Sequence, residues 1–231
     1  MSFKMKKIIG VALLWAFTLS AQATIFQYSV TNPSGNHNAG QVTSIDTSFN
    51  TSNNVWSWSH SINDAGSNSS DGFWLVISDG ENPKSNVSEY AIFYGDADAG
   101  LLTAYEYSGQ NNAGSWSNPG NFLGSFSMNY SHSAGVGTFG WSIDVTSINN
   151  FYNTSDWDGA EFGNQLGYWF HPFLNGDFQY AQDGSFSAFS HGTQGWYDKK
   201  NLQTTMVPEP AIVFLMATGI LGIGASRRRK F

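Results

Sequence analysis

Phe139-Gly140-Trp141-Ser142-Ile143-Asp144-Val145 is the stretch that decides the fold. Large apolar residues at 139, 141, 143 and 145 alternate with Gly140, Ser142 and Asp144. A two-residue period is the signature of a strand with one buried and one solvated face. The same period recurs in Phe26, Tyr28 and Val30 against Gln27 and Ser29, and in Trp56 and Trp58 against Ser57 and Ser59. It runs again from Phe122 to Tyr130, with Phe122, Gly124, Phe126, Met128 and Tyr130 on one face and Leu123, Ser125, Ser127 and Asn129 on the other.

Other segments are apolar on both faces: Phe73-Trp74-Leu75-Val76-Ile77, Tyr90-Ala91-Ile92-Phe93-Tyr94 and Tyr168-Trp169-Phe170. They are too short for buried helices and are bounded by turn formers, so they predict central strands covered on both sides. Leu101–Tyr107 pairs back on the Tyr90 strand through Asp96-Ala97-Asp98-Ala99-Gly100, and Asn175-Gly176 and Asp183-Gly184 mark further turns. The one helical candidate is a turn or two from Ser147 to Asn153, with Ser147 as cap and Ile148 and Phe151 facing inward. Asn63–Asp71 and Asn111–Asn121 are rich in Ser, Asn and Gly and predict exposed loops. Some ten short strands at this spacing predict an all-β fold, a single antiparallel β-sandwich of jelly-roll or concanavalin-like type over residues 24–196.

Both ends of the chain stand outside that pattern. Lys4, Lys6 and Lys7 precede an apolar core from Ile8 to Leu19 and the small-x-small site Ala21-Gln22-Ala23. This is the layout of a secretory signal peptide over residues 1–23, cleaved before Thr24. At the other end, Val207-Pro208-Glu209-Pro210 is followed by an apolar run from Ala211 to Ala225 and then Arg227-Arg228-Arg229-Lys230. Prolines on both sides of Glu209 hold that segment extended. The apolar run predicts a short transmembrane helix with the basic cluster left in the cytoplasm. These three parts, in this order, resemble a PEP-CTERM sorting signal over 207–231, joined to the sandwich by a linker at 197–206. The resemblance implies export through the inner membrane of a Gram-negative bacterium, a transient membrane anchor, processing by an exosortase-type enzyme, and release to the cell surface or matrix. It also implies an exopolysaccharide or biofilm setting.

Charge narrows the partners further. Between the two signals only Lys84, Lys199 and Lys200 are basic, against sixteen acids, a formal charge of −13. Such a domain repels phosphate backbones, which excludes nucleic-acid binding. The chain has no cysteine, so disulfides, thiolate catalysis and Cys-ligated zinc are excluded.

Chemistry-bearing motifs are sparse. Asp156, Asp158 and Glu161 lie close enough in sequence to be candidate calcium ligands. Asp96-x-Asp98 starts like an EF-hand loop but has Gly100 and Tyr107 where ligands are required. No other cofactor is indicated. A glycosidase needs two carboxyls about 5–10 Å apart. No such pair can be constructed, and Glu106, between Tyr105 and Tyr107, is expected to face solvent. The histidines at 37, 60, 132, 171 and 191 show no metal spacing, and His171 is expected to be a hydrogen-bonded rim or core residue. Aromatics make up 16% of the chain, and sugar rings stack on exposed Trp and Tyr. Trp116, Trp157, Trp196 and Tyr197 are the candidate glycan contacts, with packing at the sandwich ends as the competing role. The expectation is a non-enzymatic surface or matrix protein, structural, adhesive or glycan-binding. A secreted polysaccharide hydrolase or lyase is the alternative.

Overall fold

Two-residue alternation gives each strand one apolar face, and the chain buries those faces by laying two sheets against each other. The computed structural model describes residues 24–84, 90–107, 116–151 and 159–208. Sheet I contains β1 (Thr24–Thr31), β2 (Gln41–Asn50), β3 (Val55–Asn63), β8 (Asn129–Ser133), β9 (Val136–Asp144) and β14 (Thr205–Pro208), in the order β14-β1-β2-β3-β9-β8. Sheet II contains β4 (Gly72–Ser78), β5 (Ala91–Asp96), β6 (Leu101–Glu106), β7 (Phe122–Ser127), β10 (Gln165–Phe173) and β13 (Tyr197–Gln203), in the order β13-β10-β4-β5-β6-β7. Pairing is antiparallel, as short hairpin connections require. The predicted signal peptide and tail helix lie outside the described residues. Among the described ones, no helix is long and apolar enough to cross a membrane.

The core between the sheets is rich in aromatic rings. Trp56, Trp58, Phe139 and Trp141 of sheet I meet Phe73, Phe93, Tyr168 and Phe170 of sheet II. The Trp56 and Phe93 rings lie 4.7 Å apart, and Phe73 stacks on Trp141 at 5.4 Å. The indoles bring polar N–H groups into this core, and each of two finds an acceptor. Trp56 Nε1 donates to Thr47 Oγ1 at 3.0 Å, and Trp58 Nε1 donates to His60 Nδ1 at 3.0 Å.

Sheet II has a second apolar layer on its outer face. Trp74, Tyr94, Tyr105, Trp169 and Phe173 are buried there. The hairpin β11 (Asp177–Tyr180) and β12 (Phe186–Ser190) packs Phe178, Phe186 and Phe189 against Tyr94, Tyr105 and Phe173 of this layer. Tyr180 donates its hydroxyl to Asp96 Oδ2 at 3.0 Å, and the Phe186 amide donates to the Tyr105 hydroxyl. This second layer is why the strands at 73–77 and 90–94 read as apolar on both faces.

Three sequence expectations are corrected. Phe122–Tyr130 is two strands, not one: β7 closes one edge of sheet II and β8 one edge of sheet I. The chain passes between the sheets at buried Met128, whose amide donates to the Gly100 carbonyl at 2.8 Å. The helix α1 covers only Thr146–Asn149, and its first turn is held by Asp144, whose Oδ1 accepts from the Thr146 amide at 2.9 Å, rather than by Ser147. Ile148 is buried, but Phe151 lies beyond the single turn and is 41% exposed. Residues 197–206 are not a linker: they form β13 and begin β14. Thr204, between those strands, is tied to the 163–164 loop through the Asn164 and Gly163 carbonyls.

Candidate functional site: a hydroxyl-paved trough on sheet I

Among the described residues nothing forms a second layer on sheet I, and its outer face carries the polar half of the alternation. Registered pairing arranges those residues in rows across the strands. Gln27, Ser48, Ser57 and Ser142 form one row, and Ser29, Asp46, Ser59, Gly140 and Asn129 the next. Thr31, Ser44, Ser61, Thr138 and Ser131 form a third. Neighbouring hydroxyls bond to one another. Ser57 Oγ donates to Ser142 Oγ at 2.9 Å, Ser61 Oγ and Thr138 Oγ1 are 3.2 Å apart, and Ser29 Oγ donates to Asp46 Oδ1.

An open trough of about 690 Å³ runs over the first two rows. That volume lies within the range of ordinary ligand sites. Among the described residues that line it, Asp46 is the one carboxylate, and none is Lys, Arg or His. The floor carries donors and acceptors from hydroxyls and amides, which suits an uncharged, hydroxyl-rich ligand.

Gly140 lies on β9, between Ser59 of β3 and Asn129 of the edge strand β8. A Cβ there would meet only Ser59 Cβ and the Trp58 carbonyl, both at 3.6 Å, which is ordinary contact. Its φ is not in the left-handed region. Gly95 in sheet II is the opposite case, because a Cβ there would fall 2.1 Å from the Phe73 ring. Packing therefore demands glycine at 95 and not at 140. A strand glycine often marks a bulge, a bend or a place where a ligand or another backbone approaches closely, and the β3–β9 and β8–β9 registers run unshifted through Gly140.

The residues singled out from sequence lie elsewhere. Trp196 is 45% exposed, on the segment entering β13, with its ring 6.5 Å from His171. Trp116 is partly buried against Phe189 and His191, and its carbonyl accepts from the Tyr94 hydroxyl. Tyr197 is wholly buried, which corrects its reading as a glycan contact. Its hydroxyl accepts from the Val42 amide at 2.9 Å and so pins β13 to β2. Trp157, Asp156 and Asp158 lie outside the described residues. Glu161 is exposed, and its Oε1 accepts from Asn149 Nδ2 at 2.9 Å. Among the described residues, no three His, Cys, Asp or Glu come together to hold a metal. Thr24 opens β1, while Ala21 and Ala23 precede the described residues; Val207 and Pro208 end β14, and Glu209, Pro210, Arg227, Arg228, Arg229 and Lys230 follow them.

Glu106 is buried rather than solvent-facing. Its Oε2 accepts from Asn121 Nδ2 at 2.9 Å and from the Asn121 amide at 3.3 Å, which makes it a fastener for the loop before β7. His171 behaves as expected: it is buried, stacked on Trp74 at 3.8 Å and within 3.2 Å of Gln194 Oε1 through Nδ1. Burial pushes the pKa of both His60 and His171 down to about 3, so each is neutral near pH 7.

The trough is not visible in any one segment of the sequence. The signal was present in the polar half of the alternation, which consists of Ser and Thr where charged residues are the usual solvent-facing choice. Its meaning needed the register, which brings residues from five strands into common rows.

Comparison with known proteins places the tail. Residues 207–230 match the PEP-CTERM protein-sorting motif. The motif marks the chain for export, transient membrane anchoring and exosortase processing. No curated protein and no solved structure matches the chain.

Proposed function

We propose that this chain is a non-enzymatic surface or matrix protein, exported and released in an exopolysaccharide setting, whose β-sandwich binds glycan. The observation that carries this reading is a sorting motif attached to a sandwich with an open, hydroxyl-lined face that holds a single carboxylate, Asp46, among the described residues. The two six-stranded sheets and the chain's repeated crossings between them support the jelly-roll or concanavalin-like comparison. Asp46 has no second carboxylate beside it in the trough, and Glu106 is engaged by Asn121, so a hydrolase or lyase gains no support from either.

Deleting residues 209–231 leaves both sheets intact and removes most of the motif. The expected result is a folded domain that reaches the periplasm or medium without the processing step of the full chain. An unchanged cell-surface distribution would undo the export reading. Reducing-end release from polysaccharides by the purified domain, abolished in Asp46→Asn, would replace the binding reading with the enzymatic one.

A further inference from the structure

We infer that the trough on the outer face of sheet I is the binding site for an extended, uncharged polysaccharide chain, lying across the strands with its closest approach at Gly140. The inference rests on the glycan-binding reading above and assigns it a site and a ligand class.

Three observations converge. First, the rows of hydroxyls run perpendicular to the strands at the strand spacing of about 4.8 Å, and neighbouring rows on one face are two residues, about 3.4 Å each, apart. Such a grid offers repeated donor–acceptor pairs along a line, which suits a repeating polyol better than a single compact ligand. The rows Gln27–Ser48–Ser57–Ser142 and Ser29–Asp46–Ser59–Gly140–Asn129 form the floor. Second, charge selects among polysaccharides. The exported domain carries −13, and the trough contributes Asp46 without a cation. A uronate or sulfated chain would be repelled, whereas an uncharged chain can donate its hydroxyls to Asp46 as it would to water. Third, Gly140 leaves a notch in the floor, on the strand next to edge strand β8, that the fold does not require. A ligand resting there contacts backbone directly, which a side chain would prevent.

Stacking on Trp or Tyr is not part of this site. Tyr28, Trp58 and Trp141 lie beneath its floor and belong to the core or pack against it. Binding through hydroxyls alone is individually weak, because each protein–sugar hydrogen bond replaces one with water. Affinity therefore comes from the number of sugar units in register with the rows and increases with chain length.

The test uses residues 24–208, which contain every described strand and the whole of both apolar layers. Affinity electrophoresis is run through gels holding hydroxyethylcellulose, konjac glucomannan or dextran, with alginate as the anionic counterpart. Retardation is expected in at least one neutral gel and not in alginate. It should weaken at least tenfold in Gly140→Tyr and in Ser59→Tyr, a second obstruction that keeps the test valid if Gly140→Tyr does not fold. Both variants should keep the thermal midpoint of the parent. Trp196→Ala should migrate as the parent does. Retardation that survives both obstructions, or that Trp196→Ala abolishes, overturns the assignment of the trough but leaves glycan binding standing. Binding to alginate alone overturns the ligand class. No retardation in any gel overturns both the trough and glycan binding. Sedimentation that shows a dimer broken by Gly140→Tyr makes the face an interface between copies and also overturns the proposal.

Discussion

Sheet I and sheet II have six strands each and share one aromatic core, yet their outer faces are opposites. Sheet II buries Trp74, Tyr94, Tyr105 and Trp169 in a second layer to which the β11–β12 hairpin contributes, whereas sheet I presents Ser, Thr, Asn and Gln to solvent. The contrast reassigns the aromatic surplus of the chain. Most of it is structural, filling two apolar layers instead of one, and the surface available for recognition is polar. A domain without disulfides gains from this arrangement, because a second buried layer adds apolar area without lengthening the chain.

The largest effect expected from the comparison concerns the two layers themselves. Trp58→Ala removes a ring from between the sheets and Trp74→Ala one from the outer face of sheet II; both residues are about 1% exposed. Each should cost about 3–5 kcal/mol in urea unfolding. A Trp74→Ala cost below about 1 kcal/mol would mean that the outer layer is a loose cover rather than a core.

Next in size is the response to acid. His60 lies between the sheets and His171 in the outer layer, and burial holds both near pKa 3. The unfolded chain takes up these protons near pH 6.5, so the unfolded state binds more protons below that point. Stability is complete above about pH 6.5 and falls as pH drops toward 3, by up to about 1.4 kcal/mol per pH unit for each histidine. His191, lowered by its own partial burial, adds in the same direction, and Asp71, raised by burial, opposes it. Urea midpoints measured at pH 7 and 4.5 should differ less in His171→Phe than in the parent. An identical pH dependence would show that His171 takes up its proton in the fold as readily as in the unfolded chain.

Phe189→Ala probes the hairpin. Phe189 packs on Tyr94, Trp116, Phe173 and His191, and is only partly buried. A loss of about 2 kcal/mol is expected, with enhanced amide exchange confined to residues 177–190. Exchange spreading through β4 and β5 would show that the hairpin is integral to sheet II.

The smallest change is on sheet I. Gly140→Ala places a Cβ in ordinary contact and restricts the unfolded chain, so stability should rise by roughly 0.5 kcal/mol. A loss would mean that the glycine is structural and would remove one of the three supports for the trough.

How far the sequence could be read follows from which property each feature depends on. Alternation around Phe139–Val145 and the doubly apolar runs at 73–77 and 90–94 depend on local period, and both were visible. So were the Asp96–Gly100 and Asp183–Gly184 turns. The break at Met128 was not, because alternation continues unchanged while the chain leaves one sheet for the other. Tyr197 read as a surface aromatic because its neighbours are polar; its burial comes from Val42 and Gly40, more than 150 positions away. The trough depends wholly on register, which no single strand carries. Glu106 read as solvent-facing because its loop partner Asn121 is distant in sequence.

Two segments each supply an edge to both sheets: Phe122–Ser133 through Met128, and Tyr197–Pro208 through Thr204. The second runs into the sorting motif, which begins at Val207. During export the chain emerges from its N-terminal end, so β13 and β14 are the last strands available. A molecule halted short of them has one unfinished edge on each sheet, open to pairing with another chain. The sandwich therefore closes only once the residues leading into the sorting motif are available to pair.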